Sequence, residues 1–65
     1  MKPEKLRESG SEELENRESD LRQQIFHFRI QKATGQLDKP GKLREARKDL
    51  ARVLTILSER RREAS

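Results

Sequence analysis

Two stretches of the chain place apolar residues at the spacing of an amphipathic helix. No Gly or Pro interrupts residues 11–34, where one side of a helix would collect Leu14, Leu21, Ile25 and Phe28. From residue 40 onward a second series recurs at steps of three and four, the rhythm of a helix packed against another helix. This series consists of Leu43, Ala46, Leu50, Leu54 and Leu57, with Val53 at its edge. The pattern predicts two long helices that pack through one apolar stripe each.

Gly, Pro and Ser residues set the expected ends of the helices. A proline suits the first turn of a helix, so residues 3–8 are expected to form a short helical turn that the following Ser-Gly-Ser breaks. Either Ser9, at capping-box spacing from a glutamate, or Ser11 can cap the next helix. Gly35 is expected to end that helix and Pro40 to begin the last one. The expected bounds are a helix over about 10–34, a turn over 35–39, a helix over about 40–60 and a frayed tail over 61–65.

A turn this short holds consecutive helices antiparallel. The predicted fold class is therefore all-α, a single domain over residues 1–65 formed by a long antiparallel two-helix hairpin with a short N-terminal helical turn. Sixty-five residues lie near the lower size limit for a self-sufficient hydrophobic core. The chain has no cysteine, so disulfides and thiolate metal sites cannot add stability. An external partner is expected.

Some apolar residues fall outside both stripes. Phe26, Ile30 and Ala33 follow one another at i, i+4 and i+7 on a flank of the first long helix, more than about 90° from its stripe. Ile56 is likewise expected to point away from the second stripe. Single surface apolars are normal, whereas a cluster of them usually marks a contact. Because two helices provide no third layer, Phe26, Ile30 and Ala33 predict a protein-contact surface.

Charge divides the sequence unevenly. The chain is 43% charged with a net charge of +4. Residues 1–24 carry five Lys/Arg against seven Asp/Glu, and residues 25–65 carry eleven against five. A solubilising surface is the plain interpretation, but this asymmetry favours a polyanion bound by the second half. The sequence also shows no membrane-spanning run and no signal-peptide core at its start, so the expectation is a soluble, cytoplasmic protein.

Catalytic and metal-binding chemistry has little basis in this composition. His27 is the only histidine, and Gln23 and Gln31 occupy the positions four residues away where a second ligand would stand. There is no Cys, no Tyr and no Gly-rich phosphate loop. The sequence therefore predicts no enzyme activity, no metal, no cofactor and no small-molecule substrate.

A basic strip is the strongest functional signal. Arg44, Lys48 and Arg52 form an i, i+4, i+8 column that can follow a phosphate backbone, and the small Ala51 beside them permits close approach of RNA. Pairing within the helix, as between Asp49 and Arg52 or Glu45 and Lys48, is the alternative use of these cations. Only two aromatic residues are present, so recognition of folded RNA by backbone and shape is favoured over base stacking.

These residues carry a resemblance to a known family. The segment Lys39-Pro40, Leu43, Arg44, Arg47-Lys48, Asp49, Leu50, Ala51, Arg52 resembles the signature of the bacterial large-subunit ribosomal protein family numbered twenty-nine, and residues 28–37 are similar to its first helix end and turn. The resemblance implies a helical hairpin bound to large-subunit rRNA near the polypeptide exit. It also implies a neighbouring protein at the exit-tunnel rim, in the zone where nascent-chain factors such as trigger factor and the signal recognition particle dock.

The sequence thus predicts a structural, ribosome-bound rRNA-binding protein. The expected RNA-binding residues are Arg29, Lys32, Gln36, Arg44, Arg47, Lys48 and Arg52, with Gln31 as a further polar contact. The competing function is a protein-interaction hairpin that dimerises through its apolar faces. A helix-turn-helix DNA reader is disfavoured because the first long helix is too long and a third packing helix is not expected.

Overall fold

The computed structural model describes the backbone of residues 3–64 and the side chains of residues 4–64, and over this range it contains three α-helices and no strand. Helix α1 spans Pro3–Glu8, α2 spans Ser11–Ala33 and α3 spans Pro40–Ala64. Helices α2 and α3 pack along each other, and α1 packs on α3. The domain measures 44 × 19 × 16 Å. The predicted all-α hairpin with a short leading helix is confirmed.

Gly35 ends α2 as predicted. Its φ of 75° lies in the left-handed region, and its N–H donates to the carbonyl of Lys32 at 3.2 Å. The N–H of Gln36 donates to the carbonyl of Gln31 at 2.7 Å, which completes a Schellman motif. Only residues 34–39 separate the end of α2 from the start of α3. The Schellman motif therefore begins the short connection between the two long helices.

The start of α2 differs from the prediction. Its N-cap is Gly10, with extended backbone and no side-chain cap, so the prediction that Ser9 or Ser11 caps the helix was wrong. Both hydroxyls have other partners: Ser9 Oγ donates to the carbonyl of Lys5 at 3.3 Å, and Ser11 Oγ accepts from Arg60 at 3.1 Å. Glycine is itself an acceptable N-cap, and the acidic first turn of α2 suits the positive end of the helix dipole.

The core follows the two stripes with one shift. Val53 is fully buried at 0% exposure, whereas Leu54, predicted in the stripe, remains 37% exposed. The two side chains lie about 100° apart on α3, and the helix is rotated so that Val53 faces α2. The rest of the hairpin core contains Leu14, Leu21, Ile25, Ala46 and Leu57, with Phe28, Leu43 and Leu50 packed against it.

Helix α1, predicted only as a short helical turn, also packs on α3 and supplies a third packing element. Leu6 is 2% exposed and belongs to the same buried cluster as Ile56, which is 3% exposed. The prediction that Ile56 points away from the core was therefore wrong. The side of α3 that carries Ile56 faces α1 rather than solvent, because α1 packs against α3.

Arg60, near the C-terminus of α3, forms hydrogen bonds to α1 and to the residue that follows it. Its guanidinium donates to the carbonyls of Arg7 at 3.0 Å and Ser9 at 2.6 Å. Arg7 in turn forms an ion pair with Glu59 at 3.4 Å. These contacts hold α3 near its end, and the helix continues through residues 61–64 where a frayed tail was predicted. Residues 61–64 are thus helical in the structure, and the fraying of this tail stays a prediction; Ser65 lies outside the described residues.

Candidate nucleic-acid interface

The two ends of the hairpin differ in net charge. Because α2 and α3 are antiparallel, residues 22–52 form the end that contains the turn, here called the turn end. This half carries nine Lys/Arg against three Asp/Glu, a net charge of +6. The remaining described residues, 3–21 and 53–64, carry six against nine, a net charge of −3. Positive potential is therefore concentrated at the turn end more strongly than the division between sequence halves indicates.

A groove of about 490 Å³ opens beside the turn, and we call it the turn groove. Lys32 lines it from the end of α2, Leu37 from the turn, and α3 contributes Pro40, Leu43, Arg44, Arg47, Lys48 and Ala51. No carboxylate is among these lining residues. Within residues 4–64 none of the four cations, Lys32, Arg44, Arg47 and Lys48, forms an ion pair. The groove therefore presents four positive charges to a ligand.

A second groove continues the cationic surface between the two long helices, and we call it the interhelical groove. It shares Arg47 and Ala51 with the turn groove and adds Arg29 from α2. Its apolar lining is Ile25, Leu50, Ala51 and Leu54. Arg22, which sequence reasoning missed, also lines it and is paired with Glu18 at 3.0 Å. Its position seven residues before Arg29 was the available signal.

Arg52 stands apart from the turn groove. It lines a separate depression with Gly41, Arg44, Glu45 and Lys48, and its Nη1 donates to Asp49 Oδ1 at 3.1 Å. The predicted alternative of intrahelical pairing is thus confirmed for Asp49 and Arg52. The column of Arg44, Lys48 and Arg52 consequently has one member that a carboxylate already engages.

The opposite side of the turn end has a mixed charge. The groove there is lined by Glu45 and Asp49 together with one lysine, Lys42, and by Gln24, Phe28 and Ala46. A polyanion would meet carboxylates on that side and cations alone in the turn groove. Gln36, predicted as a polar RNA contact, is exposed in the turn and lines none of these grooves. Gln31, in α2, is also exposed and lines none of them.

The predicted protein-contact residues are exposed. Phe26 is 63% exposed, Ile30 is 46% exposed, and Ala33 is also at the surface. All three lie on the flank of α2 next to Arg29, about 40–100° further from the helix interface. This apolar patch, Phe26, Ile30 and Ala33, has no covering element among the described residues, and its role as a protein contact remains a prediction.

We also searched residues 3–64 for a group of metal-ligating side chains and for a membrane-spanning helix. Over residues 3–64 no three His, Cys, Asp or Glu side chains approach one another closely enough to hold a metal ion. His27 is exposed, and its ring meets that of Phe26 edge-on with centroids 6.3 Å apart. None of the helices over that range combines the length and apolarity needed to cross a membrane.

Comparison with known sequences identifies close similarity over almost the whole chain. Residues 4–60 match the family described as Ribosomal L29 protein. The chain is 48% identical over 63 residues to large ribosomal subunit protein uL29 of Rubrobacter xylanophilus, covering 97% of this chain and 94% of that protein. It is 48% identical over 60 residues to the protein of the same name from Caldanaerobacter subterraneus, covering 92% and 91%. With that of Cutibacterium acnes the identity is 51% over 55 residues, covering 85% and 71%.

Proposed function

Because the chain belongs to the ribosomal L29 protein family, we propose that it is a non-enzymatic, structural constituent of the large ribosomal subunit and binds large-subunit rRNA through its turn end. The observation that carries the rRNA contact is the turn groove, with four cations and no carboxylate in its lining. The proposed phosphate contacts are Lys32, Arg44, Arg47 and Lys48 in the turn groove, Arg29 in the interhelical groove and Arg52 beside them, with Gln36 as a polar contact at the turn.

The geometry of α3 supports a contact with the RNA backbone. Arg44 and Arg47 are one turn apart, and Ala51 leaves space for a phosphate chain to approach the helix. Guanidinium groups bind phosphate oxygens bidentately, which suits the closely spaced phosphates of structured RNA. A-form RNA conceals most base edges in a deep, narrow groove, so backbone and shape recognition matches a surface with no exposed aromatic residue in the groove.

We further propose a position near the polypeptide exit, with the apolar patch against a neighbouring protein at the exit-tunnel rim. Support comes from the family signature in residues 39–52 and from the exposure of Phe26 and Ile30. In this setting trigger factor and the signal recognition particle are candidate nascent-chain partners, and the protein is cytoplasmic and ribosome-bound. The competing function, dimerisation of the hairpin, now has only exposed apolar residues such as the patch to rely on, because the two main stripes bury one another.

The salt dependence of RNA binding tests the turn end directly. Replacement of Arg44, Arg47 and Lys48 by Ala should weaken binding to deproteinised large-subunit rRNA. It should also reduce the slope of log K against log salt by about one unit for each phosphate that the variant no longer neutralises. A matched control removes the same charge from the other end of the hairpin, residues 3–21 and 53–64, here called the open end, through Lys5→Ala, Arg17→Ala and Arg61→Ala. Equal slopes for the two triple variants would refute the proposed interface.

A further inference from the structure

The turn groove has a cationic surface and an apolar surface, and binding of a phosphate backbone requires only the first. Its rim is cationic, whereas its remaining lining consists of the aliphatic residues Leu37, Pro40, Leu43 and Ala51. We propose that the groove binds an unpaired nucleotide of a folded RNA, with the base against this aliphatic floor and the flanking phosphates at the rim. The inference rests on the proposed function and assigns a specific ligand to its central site.

The floor is apolar enough to receive the face of a base. Leu37 and Leu43 are half-buried, so each exposes part of its side chain to the groove. A hydrated phosphate gains nothing from such carbon surface, whereas the flat face of a base is removed from water when it lies there. Arg44 and Arg47 stand beside the floor, and guanidinium planes are regular stacking partners for splayed-out bases in RNA complexes.

Size and access also fit a nucleotide that is still attached to its chain. The volume of about 490 Å³ lies within the roughly 300–1,000 Å³ of small-molecule sites. The groove lies on the surface of the hairpin, so the ribose-phosphate chain can enter and leave along the rim. A paired base inside an A-form helix cannot reach the floor, since it is stacked on both faces. The nucleotide must therefore come from a bulge or loop.

Charge excludes other classes of ligand. With Lys32, Arg44, Arg47 and Lys48 around it and no carboxylate in the lining, the groove disfavours basic peptides and lipidic cations. An acidic peptide would satisfy the rim, but its short carboxylate side chains would leave the aliphatic floor without a partner. A ligand that joins closely spaced anions to a flat apolar body matches both surfaces.

The test uses the full chain and three kinds of short RNA. One is a fully paired A-form duplex, the second carries a single-nucleotide bulge, prepared with each of the four bases, and the third carries an abasic residue at the bulge. Fluorescence anisotropy at fixed salt should give about tenfold tighter binding to at least one bulged duplex than to the paired one, equivalent to about 1.4 kcal/mol. The abasic bulge should bind like the paired duplex.

Leu37→Ala should remove the preference for the bulge, because it should weaken binding of the bulged duplex much more than binding of the paired duplex. Leu37 lies outside the buried core, so the variant is expected to fold, which circular dichroism verifies. Ile30→Ala is the matched control, since it shortens an exposed aliphatic side chain outside the groove.

Three results would overturn the inference: equal affinity for paired and bulged duplexes, equal affinity for abasic and base-containing bulges, or an unchanged preference in Leu37→Ala. Failure of the proposed function has a different signature, because removal of the rim cations would then leave the salt dependence of rRNA binding unchanged. A protein with a normal salt slope and no bulge preference would retain the proposed function and lose only the nucleotide site.

Discussion

Substitution of Leu6 by Ala tests whether α1 is an integral part of the domain. Leu6 is 2% exposed, and the change removes about three carbon groups from the core at roughly 0.8 kcal/mol each, or about 2.4 kcal/mol. Leucine-to-alanine changes in other cores cost roughly 2–5 kcal/mol, the upper values arising where a cavity persists. Because α1 has only six residues at one end of the domain, it can shift or detach instead of enclosing a cavity. We therefore expect a loss of about 2–3 kcal/mol in the free energy of unfolding.

For a domain of this size each kcal/mol corresponds to about 4–8 °C, so the melting temperature measured by circular dichroism should fall by roughly 10–20 °C. Hydrogen exchange provides the second readout. Amides of α1 should exchange much faster in the variant, while those around Leu21 and Ile25 in the centre of the hairpin should retain most of their relative protection.

Leu14→Ala makes the same substitution at a buried position between the two long helices and serves as the comparison. Leu14 is completely buried in the seam between α2 and α3, so its truncation should lower protection throughout the hairpin rather than in α1 alone. If Leu6→Ala left both the melting temperature and the exchange of α1 unchanged, the packing of α1 on α3 could not be a significant source of stability, and the burial of Ile56 would need another explanation.

Two further predictions concern the turn and the apolar patch. Gly35→Ala should lower the free energy of unfolding measured in urea by about 1–2 kcal/mol, since Gly35 has a φ of 75°. Gly41 lies in helical backbone with open space around it, so Gly41→Ala should be neutral or stabilise the protein by up to about 1 kcal/mol. Equal effects of the two substitutions would contradict this account of the turn. Replacing Phe26 and Ile30 together by Ser should reduce incorporation into reconstituted large subunits without changing affinity for free rRNA. If the wild-type protein instead sediments as a dimer without RNA and this variant as a monomer, the patch is a dimer interface.

The long helices could be predicted from sequence because each apolar stripe, Leu14 to Phe28 and Leu43 to Leu57, extends over fifteen residues, about four helical turns. The short α1 offers no such pattern: Leu6 is a single apolar residue in a six-residue helix. Ile56 could be recognised as a residue outside the stripe of α3, but its partner could not be identified. Arg60 likewise was one cation in a basic run, and its bonds to Arg7 and Ser9 depend on a contact some fifty positions away in the sequence.

The candidate interface was predictable in composition and less so in arrangement. Periodicity placed Arg44, Lys48 and Arg52 in one column, and the turn groove contains the first two of them together with Arg47. It could not determine that Asp49 pairs with Arg52 while Glu45 leaves Lys48 without an ion pair within residues 4–64, since both spacings permit a bond and side-chain conformation selects between them. The aliphatic floor, which joins Leu37 of the turn to residues of α3, depends on tertiary structure alone.

The sorting of charge along the hairpin has a consequence for how the protein meets a large polyanion. At physiological ionic strength electrostatic forces decay over about 8 Å, which is much shorter than the 44 Å length of the molecule. An approaching RNA therefore responds to the nearer end rather than to the net charge of the whole chain. It attracts the turn end, at +6, and repels the open end, at −3. In productive encounters the turn end should therefore face the RNA. The association rate should then depend on salt concentration more steeply than a net charge of +4 implies.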